Sequence, residues 1–172
     1  QGAVVNSVTK SGGNAYSSLF EYRYTGKDLR GDNITSEIKA ENPSLLAAGV
    51  DRLDDYTVQL GGPLKRDKAF FFGSIQRYSV KEDPDGPRTI RTEVSPRFNF
   101  KVTLQPTSSD NISANFQYDQ YNQTGRAAGL GGAANTTDDR SVEQDSPEYI
   151  WNGSYRKVIG SSSFFETKYT GY

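Results

Sequence analysis

Seven alternating stretches of this chain are separated by six connections of about 30, 5, 11, 6, 26 and 4 residues. Long and short connections follow each other strictly. In an up-and-down meander, successive connections lie at opposite ends of the sheet. All the short ones therefore gather at one end and all the long ones at the other. A sandwich with Greek-key links has no cause to sort its connections in this way. A transmembrane β-barrel does, because it has tight turns on one side of the bilayer and long loops on the other. The predicted fold is accordingly all-β: an antiparallel up-and-down meander forming part of a transmembrane barrel.

The strands are read from period-2 alternation and fall at 15–24, 55–62, 68–80, 92–104, 111–121, 148–158 and 163–172. The cleanest run is 92–104, where Phe98, Phe100, Val102 and Leu104 alternate with Arg97, Asn99, Lys101 and Thr103. Ile112, Ala114, Phe116 and Tyr118 repeat the pattern one strand later. Between 55–62 and 68–80, Gly61, Gly62 and Pro63 break the run, and Lys65, Arg66, Asp67 and Lys68 form a charged tip. That tip is expected to be a solvated turn. The residues Pro43 to Val50, in the first long connection, have room for a helical turn.

A barrel sends one set of side chains into hydrocarbon and the other into an aqueous or plugged interior. The lipid-facing set is expected to be Phe20, Tyr22, Val58, Leu60, Phe70, Phe72, Phe98, Phe100, Val102, Ile112, Phe116, Tyr118, Trp151, Tyr155, Phe165 and Tyr169. The lumen-facing set is Glu21, Arg23, Gln59, Arg97, Asn99, Lys101, Asn115, Gln117, Glu166 and Lys168. Tyr22, Tyr24, Tyr56, Tyr78, Tyr118, Tyr149 and Trp151 suit an interfacial aromatic girdle. One strand fits poorly: with Phe70 and Phe72 outward, Phe71 and Ile75 point inward beside Arg77 and need something in the lumen to pack against.

Composition narrows the function. Aromatic residues make up 12% of a chain that is only 34% hydrophobic, a balance suited to exposed or lipid-facing sheets rather than an aliphatic core. The net charge is −1, from 20 basic and 21 acidic residues without a basic stripe, so nucleic acid is not expected as a partner. With no His and no Cys, most nucleophile–base pairs are unavailable, and neither enzymatic activity nor a cofactor is expected. No apolar run reaches the roughly 20 residues of a membrane helix, which says nothing about strands that cross. The Gly-rich run 127–135 lacks the Lys-Ser/Thr ending of a phosphate loop and is read as an extracellular loop. The acid pairs Asp54/Asp55 and Asp138/Asp139 are read as solvated loop charge rather than Ca²⁺ ligands or catalytic carboxylates.

The segment G-A-V-V-N-S-V-T-K-S-G-G-N (2–14) resembles the last plug strand of TonB-dependent outer-membrane receptors. The segment S-L-F-E-Y, then a long polar connection and Q-L-G-G-P-L-K-R-D-K-A-F-F-F-G-S-I-Q-R-Y, resembles the Oar-like subgroup of that family. The resemblance covers the first half of the chain. It implies that 1–14 ends a plug domain, with a short strand over Gln1–Lys10, and that 15–172 begins an outer-membrane barrel of about 22 strands. It also implies a carboxypeptidase-regulatory-like domain ahead of the plug and a chain truncated at both ends.

What the resemblance implies about function is transport without bond chemistry, in the outer membrane of a Gram-negative bacterium. The partners would be outer-membrane lipid, the TonB system through a segment not present here, and an extracellular ligand such as a glycan or peptide. Two rivals stand beside this reading. One is a soluble carbohydrate-binding or adhesin β-domain, whose exposed rings would stack on sugars. The other is a secreted β-rich hydrolase, which would need two carboxylates converging in a cleft.

Overall fold

The computed structural model describes residues 9–31, 34–43, 49–83, 90–127 and 141–172. These form one antiparallel sheet of seven strands in chain order, the predicted meander. The strands are β1 (Ser17–Gly26), β2 (Gly49–Lys65), β3 (Ala69–Asp83), β4 (Arg91–Leu104), β5 (Asp110–Ala127), β6 (Ser141–Ile159) and β7 (Ser163–Gly171). Each pairs only with its sequence neighbours, so among the described residues the sheet is open, with β1 and β7 at its edges.

Most strands outrun their predicted bounds at the long-connection end. β2 starts at Gly49 rather than at 55, β5 runs to Ala127 rather than 121, and β6 starts at Ser141 rather than 148. The added residues, such as Asn122–Thr124 and Glu143–Ser146, are polar on both faces. They pair through the backbone without displaying the apolar alternation by which a strand is recognised. The long connections shorten accordingly but still alternate with the short ones.

A six-residue helix, α1 (Ser36–Glu41), lies in the first long connection and was not expected there. Its start is set by Thr35, whose hydroxyl oxygen accepts a hydrogen bond from the Ile38 amide and so satisfies an otherwise orphan donor. The helical turn expected at Pro43 to Val50 falls partly outside the described residues, and Gly49 and Val50 are already strand. Residues 1–8, most of the expected plug strand, also lie outside them; Thr9 and Lys10 are not strand. The same holds for the Gly-rich run from 128 on and for Asp138/Asp139.

At the other end the turns are tight. Residues 66–68 join β2 to β3 around Asp67, which adopts a left-handed conformation at φ 61°. Residues 160–162 join β6 to β7 around Gly160 at φ 67°. Neighbouring turns are tied together, since the Gln105 amide donates to the Lys68 carbonyl at 2.6 Å and the Val158 amide to the Ser109 carbonyl at 2.8 Å.

Pairing fixes which residues share a face, because directly opposed residues of an antiparallel pair point the same way. One row reads Phe20, Val58, Ile75, Phe98, Tyr118 and Tyr149 across β1 to β6; the next reads Ser18, Leu60, Gly73, Phe100, Phe116 and Trp151. The opposite face carries the row Glu21, Thr57, Gln76, Arg97, Asp119 and Glu148. Among the described residues only Phe70, Phe72 and Val80 are buried hydrophobics. The apolar side chains do not collect into a core. Most of them are laid out on one exposed face, with Leu19, Val158 and Phe164 exposed on the other.

Candidate functional site

The two faces differ in kind. On the apolar face Phe20 is 71% exposed, Phe100 52% and Phe116 46%, and no described segment lies over them. Where the backbone offers no side chain, an aromatic ring fills the gap: the Trp151 indole lies over Gly171, and Phe100 approaches Gly73. Toward the long-connection end this face closes with aromatic rings. Tyr22 stacks on Tyr56 with centroids 4.5 Å apart, and Phe98 packs against Tyr118 at 5.9 Å. From Phe98 to Leu104 the apolar zone spans six residue steps, about 20 Å along the strand and about 15 Å along the normal at a tilt of about 40°, a large part of a barrel's outward apolar band.

The polar face carries a hydrogen-bonded network crossing four strands. Gln76 on β3 donates to Asp55 on β2 at 2.8 Å, and Arg97 on β4 donates to the Gln76 amide oxygen at 3.4 Å. The Arg97 guanidinium also lies 3.4 Å from the Asp119 carboxylate on β5, which accepts from Gln117 at 3.2 Å. Beside it the Asn99 amide donates to Asn115 at 3.2 Å, and Ser113 and Ser154 share a hydrogen bond at 2.8 Å.

The chain leading into β1 lies on this polar face. Lys101 donates to the Thr9 carbonyl and hydroxyl at 3.2 and 3.0 Å, and Lys10 reaches the Gln59 amide oxygen at 3.0 Å. Gly12 then passes so close to the Gly62 and Phe71 backbone that a methyl group there would overlap the Phe71 carbonyl. Asn14 completes the crossing at the β2–β3 turn. Its side-chain oxygen accepts from the Asp67 amide at 2.8 Å, and its amide donates to the Asp67 carboxylate at 2.6 Å. That turn is exposed, as expected of a solvated tip, and is also the docking point of the incoming segment. Between the incoming segment and the sheet lies a cleft of about 370 Å³ lined by Thr9, Lys10, Gln59, Phe72, Ser74, Gln76, Arg97, Phe98, Asn99, Gln117 and Asp119.

All ten residues assigned to the lumen share this polar face: Glu21, Arg23, Gln59, Arg97, Asn99, Lys101, Asn115, Gln117, Glu166 and Lys168. Glu21 pairs with Arg23, and Glu166 with Lys168 at 3.2 Å. Of the lipid-facing set, fourteen residues share the apolar face, from Phe20 on β1 to Phe165 and Tyr169 on β7. Phe70 and Phe72 do not, and this is a correction. Phe72 is opposed to Gly61 and Lys101, Phe70 to Pro63 and Thr103, and both rings are buried on the polar face. The Phe72 ring lies against Gly61, whose missing side chain leaves it room.

Three consecutive phenylalanines carry no phase of their own, so the parity of β3 can be read only from its neighbours. Taken from Val58 and Phe98, it turns Phe71 and Ile75 outward and removes their anomaly. It also moves Tyr78 to the polar face, opposite Asp55 and Ser95, and out of any girdle. Trp151 sits within the apolar band, opposite Phe116, rather than at its edge.

Asp54 and Asp55 are corrected likewise: they lie in β2, not in a loop, and as adjacent strand residues they point to opposite faces. Asp54 accepts from the Tyr22 hydroxyl at 2.8 Å on one face, and Asp55 is buried on the other. They cannot converge on one cation or substrate. Among the described residues no group of three acidic side chains is placed to hold a metal ion.

In α1, the Thr35 hydroxyl and the local backbone hold the Glu37 carboxyl below the usual carboxylate range. Thr9, Lys10, Asn14, Gln76 and Asp119 belong to the polar site although sequence reasoning did not single them out. For Gln76 and Asp119, pairing with assigned residues was the available signal.

Compared with protein-family models, curated proteins and solved structures, the chain matches none.

Proposed function

We propose that the sheet is a sector of an outer-membrane β-barrel of a TonB-dependent receptor of the Oar-like kind. Its apolar face meets lipid, its polar face lines the lumen, and residues 9–14 are the end of the plug entering the barrel wall. The observation that carries this reading is the apolar face itself. Exposed aromatic and aliphatic side chains run across all seven strands with no described segment covering them. Soluble monomers rarely expose more than a few hundred Å² of contiguous apolar surface, whereas a barrel needs such a band.

Three further features support it. The tight turns lie at one end and the long connections at the other. Aromatic pairs on two adjacent rows, Phe98–Tyr118 and then Tyr22–Tyr56, bound the apolar band at the long-connection end. The segment before β1 lies against the polar face, as a plug inside a lumen would. In this reading the long connections capture an extracellular ligand, and the polar network offers uncharged donors and acceptors plus the Arg97–Asp119 pair to a hydrophilic solute. Uptake is gated by movement of the plug, with no bonds made or broken.

Because the chain has no cysteine, single cysteines report each face without background. Cysteines placed at Phe20, Phe100 or Phe116 are expected to react with a lipid-phase maleimide and to resist a water-soluble one in native outer membranes. Cysteines at Asn99 or Gln117 are expected to do the reverse. Equal aqueous labelling of both sets would overturn the reading.

A further inference from the structure

We propose that the lipid-facing surface just beyond the aromatic row carries a site for the phosphate groups of an anionic lipid headgroup, held by Arg52, Arg77 and Lys81. The proposal rests on the membrane reading above and deepens it by naming a lipid partner. Arg77 shares the aromatic row with Tyr22 and Tyr56, while Arg52 and Lys81 are opposed to each other farther toward the long-connection end. All three line one cleft of about 310 Å³ together with Asp54, Ser79 and Thr92.

Toward the long-connection end of this face, on β1 to β4, the only other described charged side chains are Asp54 and Asp83; Lys65 lies at the opposite, tight-turn end. Asp54 is already committed. It accepts from Arg52 at 2.5 and 3.1 Å and from the Tyr22 hydroxyl at 2.8 Å. Arg52 is further held with its guanidinium 5.8 Å from the centre of the Tyr24 ring. Arg77 also feels the Asp54 carboxylate electrostatically, but neither it nor Lys81 makes a hydrogen bond or close ion pair with a described residue, so both keep donors for an external anion.

Position supplies the second argument. The four residue steps from Arg77 to Lys81 cover about 13 Å along the strand, roughly 10 Å along the normal for a strand tilted about 40°. Headgroup layers are about 5–8 Å thick on each side of the hydrocarbon. The cations thus begin where the apolar band ends and extend through the depth at which lipid phosphates lie. Guanidinium groups match phosphate oxygens as a fork, and the Ser79 and Thr92 hydroxyls add donors. No comparable cluster follows on the same face of β5 and β6, where the equivalent rows carry Asn122, Asp145, Gln120 and Pro147.

The test reconstitutes the protein into phosphatidylcholine vesicles containing either bisphosphorylated lipid A or its dephosphorylated form. Lipid co-purifying after mild detergent extraction is then quantified. Retention of the phosphorylated form is expected to exceed that of the dephosphorylated form and to fall about fivefold for each cation neutralised in Arg77→Gln and Lys81→Gln. Arg77→Lys, which keeps the charge, is expected to recover part of the loss. Quenching of the single tryptophan, Trp151, by brominated lipid reports insertion of every variant. Equal retention of both lipid forms, or equal retention by wild type and variants, overturns the site. So does full displacement by inorganic phosphate, which would assign the cleft to the free anion. Absence of Trp151 quenching in the wild type overturns the membrane reading itself, so the two failures are separable.

Discussion

Placing an arginine at Phe100 should have opposite consequences according to what covers the apolar face. Phe100 stands in the middle of the band, flanked across the sheet by Gly73 and Phe116, and is 52% exposed. Of the ~200 Å² a phenylalanine presents, about 100 Å² therefore faces the surrounding medium. Against lipid, that area contributes about 2.5 kcal/mol at 25 cal/mol per Å². An arginine at the middle of a barrel's lipid face costs about 2–4 kcal/mol more. Phe100→Arg is thus expected to destabilise the membrane-embedded protein by about 5 kcal/mol. The neighbouring change Asn99→Arg, on the polar face, should cost less than about 1 kcal/mol, as lumen substitutions tune selectivity rather than stability.

Guanidinium unfolding in phosphatidylcholine vesicles, followed by Trp151 fluorescence, measures both. Were the face open to water, Phe100→Arg would relieve exposed apolar surface and leave stability unchanged or raised. A Phe100→Arg midpoint at or above that of Asn99→Arg would refute the reasoning.

Other expectations follow from the polar face and α1. Asn14→Ala removes both bonds to Asp67, each contributing about 1 kcal/mol, and should accelerate hydrogen exchange across residues 9–14 while leaving β4 to β6 protected. Arg97 and Asp119 are both partly exposed, at 44% and 36%, so a double-mutant cycle is expected to return a coupling below about 1 kcal/mol; a larger value would mean that solvent does not reach the network. Glu37 titrates below its unfolded value in the native state. Its contribution to α1 is therefore full above the unfolded carboxyl range and is lost as pH falls through its own lower midpoint. A carboxyl NMR titration should place Glu37 below an ordinary glutamate, and Thr35→Ala should move it back up.

How much of this was readable beforehand depends on where a residue stands. In β4 and β5 one face is continuously apolar and the other continuously polar, so Phe98 to Leu104 and Ile112 to Tyr118 declare both strand and phase. In β3 the run Phe70–Phe71–Phe72 has no alternation, so its local sequence does not define which face Phe70, Phe72 and Tyr78 take. Only the register with Gly61 and Lys101 does so.

The polar ends of β2, β5 and β6 are not legible as strand, because hydropathy marks the part of a strand with one apolar environment, not its full hydrogen-bonded length. Contacts such as Asn14 with Asp67 or Lys101 with Thr9 join residues 53 and 92 positions apart. They arise from the path of the chain over the sheet, which no local pattern encodes. The basic cleft was hidden for the same reason, since Arg52, Arg77 and Lys81 become neighbours only through the β2–β3 pairing.

The most direct measurement uses the tryptophan already in place. Trp151 lies mid-band on the apolar face, opposite Phe116. With the protein in native-like membranes, brominated acyl chains should quench its fluorescence strongly and aqueous acrylamide only weakly. Strong acrylamide quenching with no effect of brominated lipid would contradict the account, because the face on which it depends would then lie in water or against protein.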